Sequence, residues 1–197
     1  PTYYAIKNKR ANNYASAELS SDSRMRLAAL QPESFFYFTD ASADAEGAIP
    51  EGGKAVYIHN VATNKVLAGH AQNPWGDAGT IYYIVPAAKV NTSNTTGYVI
   101  TKSLTDLGGG SSWNNFQGQG AQVDSWNADD EGSIWSFEYK TAADLVATIE
   151  AVLPEAKATA IAEADIEKNR AYYSVSEEAY NECVSAINSL TATNCSE

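Results

Sequence analysis

The chain has 197 residues, with 13 lysines and arginines against 24 aspartates and glutamates, a formal charge of −11 and a pI near 4.6. That balance excludes the basic footprint a nucleic-acid phosphate backbone needs and any attraction to an anionic membrane surface. No apolar run approaches the roughly 20 residues of a spanning helix, so no membrane insertion is expected, and two cysteines and two histidines at wide spacing offer no zinc site.

The chain starts Pro1-Thr2-Tyr3-Tyr4, which reads as a mature protein or a segment of a longer one. A first strand is expected at Tyr4-Ala5-Ile6-Lys7-Asn8 and a second at Ser34-Phe35-Phe36-Tyr37-Phe38. Val56-Tyr57-Ile58-His59-Asn60 and Thr80-Ile81-Tyr82-Tyr83-Ile84 follow, then Tyr98-Val99-Ile100-Thr101-Lys102 and Ser133-Ile134-Trp135-Ser136-Phe137. Short apolar-aromatic runs between glycine, asparagine and serine turns are the grammar of an all-β region. It stops near residue 140: all 13 glycines precede residue 133, and alanine and glutamate dominate afterwards. Thr141 with Asp144 fits a helix cap, and Leu145, Ile149, Val152 and Leu153 mark an apolar stripe. Pro154 is expected to end that helix or open the next, which then runs from Ala156 to Tyr172. Ser176 is the N-cap of a further helix with Glu177 and Glu178 in its first turn and a seam of Tyr180, Cys183, Ile187 and Leu190. Cys183 and Cys195 are close enough in sequence for a disulfide and equally compatible with two free thiols. The charge divides unevenly: 10 basic and 14 acidic residues lie in 1–140, 3 and 10 in 141–197.

The six strand segments form two aligned sets. Ser34–Phe38, Thr80–Ile84 and Ser133–Phe137 share a hydroxyl residue, an apolar residue, an aromatic, a variable position and an apolar residue; Gly79 and Gly132 precede two of them. The other three segments align as opening strands, with Asn12 and Asn64 at one offset in the first two units. Three units, roughly 3–41, 54–88 and 97–139, each open and close with a strand, and no unit could bury its apolar face alone. The expected fold class is mainly β: a β-trefoil of three repeats over residues 1–140, followed by a small C-terminal α-helical bundle or hairpin over 141–197.

The third unit carries a family resemblance. Its run Gly97-Tyr98-Val99-Ile100, then Gly108-Gly109-Gly110-Ser111-Ser112-Trp113-Asn114-Asn115, ends on Trp126-Asn127-Ala128-Asp129-Asp130-Glu131-Gly132-Ser133-Ile134-Trp135-Ser136-Phe137. That ending resembles the closing element of ricin-type β-trefoil lectin domains, as found in large secreted glycan-degrading proteins of gut bacteria. Ser133-Ile134-Trp135 stands where that family carries Gln-x-Trp, and Phe36 and Tyr82 stand where the other units would carry the tryptophan. The resemblance implies a non-catalytic carbohydrate-binding module of a larger secreted or cell-surface protein. Its partners would be a glycan and the neighbouring domains of the parent protein. The alternative is a structural or protein-interaction trefoil without a working sugar site.

Sugar binding calls for an aromatic plate beside amides and carboxylates. The third unit offers Trp113, Asn114, Asp124, Trp126 and Asn127, with Trp113 and Trp126 expected exposed or half-exposed and Trp135 in the core; the alternative is that both loop tryptophans pack over the barrel end. The second offers Trp75 and Asp77 in Asn73-Pro74-Trp75-Gly76-Asp77; the first has Asp22, Arg24 and Arg26 but no tryptophan. Asp129-Asp130-Glu131 reads as a solvated turn, since adjacent carboxylates neither fill a calcium loop nor face each other across a cleft. No nucleophile elbow, phosphate loop or dinucleotide fingerprint is present, so neither enzymatic activity nor a cofactor or metal is expected.

Overall fold

The structure is a computed structural model that describes residues 2–70, 72–90, 96–107, 110–115, 122–170 and 175–196. Gly108, Gly109 and Tyr172, all used in reading the sequence, lie outside the described residues. The chain divides into two compact units, Pro1–Thr141 and Ala142–Glu197.

Among the described residues of the first unit twelve strands follow one another: β1 (Tyr3–Asn8), β2 (Tyr14–Leu19), β3 (Met25–Ala28), β4 (Phe36–Asp40), β5 (Lys54–Asn60), β6 (Lys65–Leu67), β7 (Trp75–Gly76), β8 (Tyr82–Pro86), β9 (Tyr98–Thr101), β10 (Ser112–Asn114), β11 (Asp124–Trp126) and β12 (Trp135–Lys140). A four-residue helix α1 (Ala87–Val90) follows β8. Six strands close into an antiparallel ring in the order β1, β4, β5, β8, β9, β12 and back to β1. The other six pair as β2–β3, β6–β7 and β10–β11. The period-2 alternation sends Ile6, Phe36, Val56, Ile58, Tyr82, Ile84, Ile100 and Trp135 of the ring strands into a common core, joined by Met25, Leu67, Trp113 and Val123 from the segments outside the ring. Phe36, Tyr82 and Trp135, the aromatic positions shared by the three closing strands, are all fully buried.

This architecture corrects the expectation of a mainly β, three-repeat trefoil. The fold is a closed six-stranded antiparallel barrel with six further strands, and the helices make the chain mixed α/β. The ring is held chiefly by ladders between the units marked out in the sequence, not within them. Strand β1 pairs with β12 from Tyr3↔Lys140 to Asn8↔Trp135, and β4 pairs with β5 from Phe36↔Asn60 to Asp40↔Val56. Inside the first and third units the ring strands share only the pairs Tyr4↔Phe36 and Tyr98↔Trp135. The middles are unequal too: β2 and β3 have six and four residues, β6 and β7 three and two.

The second unit holds α2 (Ala142–Lys168), α3 (Glu177–Ser189) and the short α4 (Ala192–Cys195). Pro154 neither ends nor starts a helix; it lies inside α2. Proline removes one backbone donor and leaves the carbonyl four residues back without its partner. Here Pro154 and Glu150 are both exposed, so water can take that carbonyl. Ser176 caps α3 as its sequence position implies, accepting from the Ala179 amide at 3.1 Å. Helices α2 and α3 are tied by the Tyr180 hydroxyl on Asp165, by the Lys168 ammonium 4.3 Å from the centre of the Tyr180 ring, and by Lys157 Nζ donating to the Asn188 carbonyl at 3.0 Å. Cys183 and Cys195 are exposed free thiols. Among the described residues no helix is long and apolar enough to cross a membrane.

Candidate functional site

The structure separates the sequence-selected residues into a buried group and an exposed one. Trp113 is 0% exposed, against the expectation that it lies at the surface. Its indole sits edge-on to Trp135 at 5.7 Å and to Tyr82 at 6.1 Å, inside the barrel core. The polar residues around it mislead because they are buried as well. Asn114 donates to Asp130 Oδ2 and to Ser133 Oγ, both at 2.8 Å, and is as inaccessible as Trp113.

Asp130 is likewise more than a solvated turn residue. It accepts two 2.7 Å bonds from Arg10, the bond from Asn114, and a 3.0 Å bond from the Gly132 amide that caps the 3₁₀ turn Glu131–Ser133. Burial pushes its carboxyl upward, and the bonds from Asn114, Arg10 and Gly132 outweigh that, leaving it below the ordinary range. This network ties β1 to the entry of β12 and is structural.

Trp75 packs on the core with its ring stacked over Phe36 at 6.2 Å, and its indole nitrogen is buried without a partner among the described residues. Asp77 is exposed and ion-paired with Lys65. The Asn127 side chain is half-buried, and its backbone carbonyl accepts from Ser133 Oγ at 2.7 Å.

The remaining pair comes together on one short strand. In β11, Asp124 and Trp126 are two residues apart and so point to the same face, opposite Asn114 and Ser112 of β10. Trp126 is 43% exposed. Asp124 faces Arg24, whose Nε lies 3.4 Å from Asp124 Oδ1 while its guanidinium also meets Asp22. Asp22 is held low first by the hydroxyl of Ser20 and then by Arg24. Arg24 enters the site because β3 and its flanking turn touch both other outer segments, through the bridges Arg24↔Gln72 and Arg26↔Gln122. Sequence reasoning named Arg24 without linking it to Asp124; nothing local could, since 100 positions separate them and only barrel closure brings them together. The site is therefore a partly exposed tryptophan beside a carboxylate that accepts from the Ser125 amide at 2.8 Å and lies within ion-pair distance of Arg24.

Close by is His70, which sequence reasoning left in a turn. Its Nδ1 is 3.0 Å from the Tyr82 hydroxyl, which itself donates to the Gly69 carbonyl at 2.8 Å, so the ring donates at Nδ1. Burial first, and the Lys102 charge second, lower its pKa to about 4, against the backbone of Gly110 and the charge of Asp124. His70 is thus a neutral, structural imidazole. Among the described residues no three His, Cys, Asp or Glu side chains gather as a metal site would need.

No family model matches the chain, and no curated protein matches it. Among solved structures it is similar to a GlcNAcα1-4Gal releasing endo-β-galactosidase from Clostridium perfringens, with a TM-score of 0.50 and 10% identity, over 71% of this chain and 33% of that one. The likeness is one of fold, and the chain spans about a third of the enzyme's length.

Proposed function

We propose that this chain is a non-catalytic carbohydrate-binding module of a larger secreted or cell-surface protein, and that it binds through the β11 face. The observation that carries the reading is the placement of the partly exposed Trp126 and the Asp124 carboxylate, 3.4 Å from Arg24, on one face of one strand. An indole gives the C–H face of a pyranose a flat apolar plate, and the Asp124 carboxylate, whose Oδ1 already accepts from the Ser125 amide at 2.8 Å, offers its second oxygen to a sugar hydroxyl. A fold shared with part of a glycan-releasing enzyme supports the ligand class. The site is shallow and built on few groups, so one site binds weakly, at a Kd of order 1 mM or about −4 kcal/mol. Tethering in a larger protein would raise the effective strength by multivalency.

Titration of the intrinsic tryptophan fluorescence with a panel of neutral host and plant glycans tests this. Saturable change with at least one glycan, lost in a Trp126→Ala variant that remains folded, is expected. No change with any glycan refutes the reading and leaves a structural or protein-interaction module.

A further inference from the structure

A second recess lies elsewhere on the barrel, where the end of β1 meets the entries of β9 and β12. It has a volume of about 310 Å³, within the range of small-ligand sites. Lys7, Lys9, Asn12, Thr96, Gly97 and Ser136 line it, and neither an aspartate nor a glutamate does, in a chain whose net charge is −11.

The two lysines there are only weakly engaged. Lys7 makes no ion pair among the described residues. Its ammonium lies 5.3 Å from the centre of the Tyr14 ring, while the nearby Glu138 is taken by Lys140 at 3.2 Å and by the Tyr14 hydroxyl at 3.0 Å. Lys9 meets Glu131 only at 3.6 Å, with both side chains about half exposed, a pairing of little strength. Asn12, Thr96 and Ser136 are exposed, so their amide and hydroxyls face solvent and are open to a ligand.

The rim is fixed before any ligand arrives. Asn8 donates to the Gly132 carbonyl at 2.8 Å and accepts from the Ala11 amide at 2.9 Å, which sets the turn after β1, and Asn12 is held there at φ 54°. Gly97 on the opposite rim sits at φ +84° and so close to Ile134 that a Cβ there would come within 2.7 Å of it, so only glycine fits this position.

We propose that this recess binds the carboxylate of an acidic sugar residue. Lys7 and Lys9 meet the carboxylate, and Asn12, Thr96 and Ser136 meet the ring hydroxyls. Two flexible point charges suit a carboxylate held by charge, and three neutral donor–acceptor groups suit neighbouring hydroxyls. The site shares no residue with the β11 face. It rests on the saccharide reading of the chain and adds to it the class of sugar.

Amide chemical-shift titration of the full chain with D-glucuronate, D-glucose and acetate tests the proposal. Glucuronate is expected to shift residues 7–12, 96–97 and 134–136 saturably, with glucose and acetate each weaker by at least about tenfold. The effect should fall as salt rises from about 0.05 to 0.5 M. Lys7→Gln with Lys9→Gln should weaken glucuronate by at least about tenfold, with the amide spectrum elsewhere unchanged as proof of folding. Absence of glucuronate shifts at these residues, equal shifts with acetate, or unaltered binding in the double variant overturns it. Trp126→Ala separates this site from the β11 face: loss of neutral glycan binding with glucuronate shifts intact assigns the two ligands to two places. Loss of the glucuronate shifts in Trp126→Ala overturns the assignment to this recess.

Discussion

Replacing Trp113 by alanine tests the buried placement of the residue that reads most like a sugar-stacking aromatic in the sequence. Its side chain is fully inaccessible and lies edge-on to Trp135 and Tyr82. Truncating a buried tryptophan costs about 3–5 kcal/mol from lost transfer energy and the cavity left behind. Two edge-to-face pairs at about 0.5–1.5 kcal/mol each put this site at the upper end of that range. A loss of about 4–5 kcal/mol is a third or more of the stability of an ordinary domain, and corresponds to a fall in Tm of roughly 10–15 °C. Urea unfolding followed by near-UV circular dichroism reads the barrel's aromatic packing directly. The control is Trp126→Ala, expected to cost clearly less, about 1–2 kcal/mol, because 43% of that residue is in water. A Trp113→Ala variant that loses under about 1.5 kcal/mol would refute the core placement and return Trp113 to the candidate ligand residues.

Three further outcomes are expected. His70 is neutral and buried with a pKa near 4, against about 6.5 when unfolded, so the unfolded chain binds more protons between those values. Stability should therefore decline by roughly 3 kcal/mol as pH falls from 6.5 to 4, and His70→Gln should flatten that slope; an unchanged slope in the variant would contradict it. Gly132→Ala places a Cβ 2.6 Å from Arg10 Nη1 and 2.7 Å from the Asn115 carbonyl, so thermal melts should show a loss of about 1–3 kcal/mol. Pro154→Ala restores a backbone donor within an exposed stretch of α2 and should raise the stability of the helical unit by about 1–3 kcal/mol, seen as a later loss of the 222 nm signal.

The strands were legible in the sequence because each alternates apolar and polar residues between turn-formers, and the aromatic shared by the closing strands is buried in all three. Closure was not legible: the longest ladder, β1 with β12, joins the two ends of the barrel region, and no local pattern encodes which strands meet. That nonlocal pairing is also what brings Arg10 to Asp130 and Arg24 to Asp124. Trp113 was misread because polar neighbours usually mean solvent. Here Asn114 donates to Asp130 and to Ser133 inside the protein, and the buried Thr101 hydroxyl lies 3.0 Å from that of Ser111. Pro154 was misread because a proline stops a helix only when the carbonyl it strands has no alternative partner, and Glu150 is exposed. Of the candidate ligand residues, Asp124 and Trp126 owe their common face to two-residue spacing, the one element of the site that the sequence already contained.

The claim that the β11 face holds a saccharide is tested most directly by retention on a glycan array, comparing the chain with Trp126→Ala. The account predicts that the parent chain is retained on at least one glycan and that the variant, still folded, is retained on none of those neutral glycans. Equal retention of both proteins, or retention of neither, would contradict it.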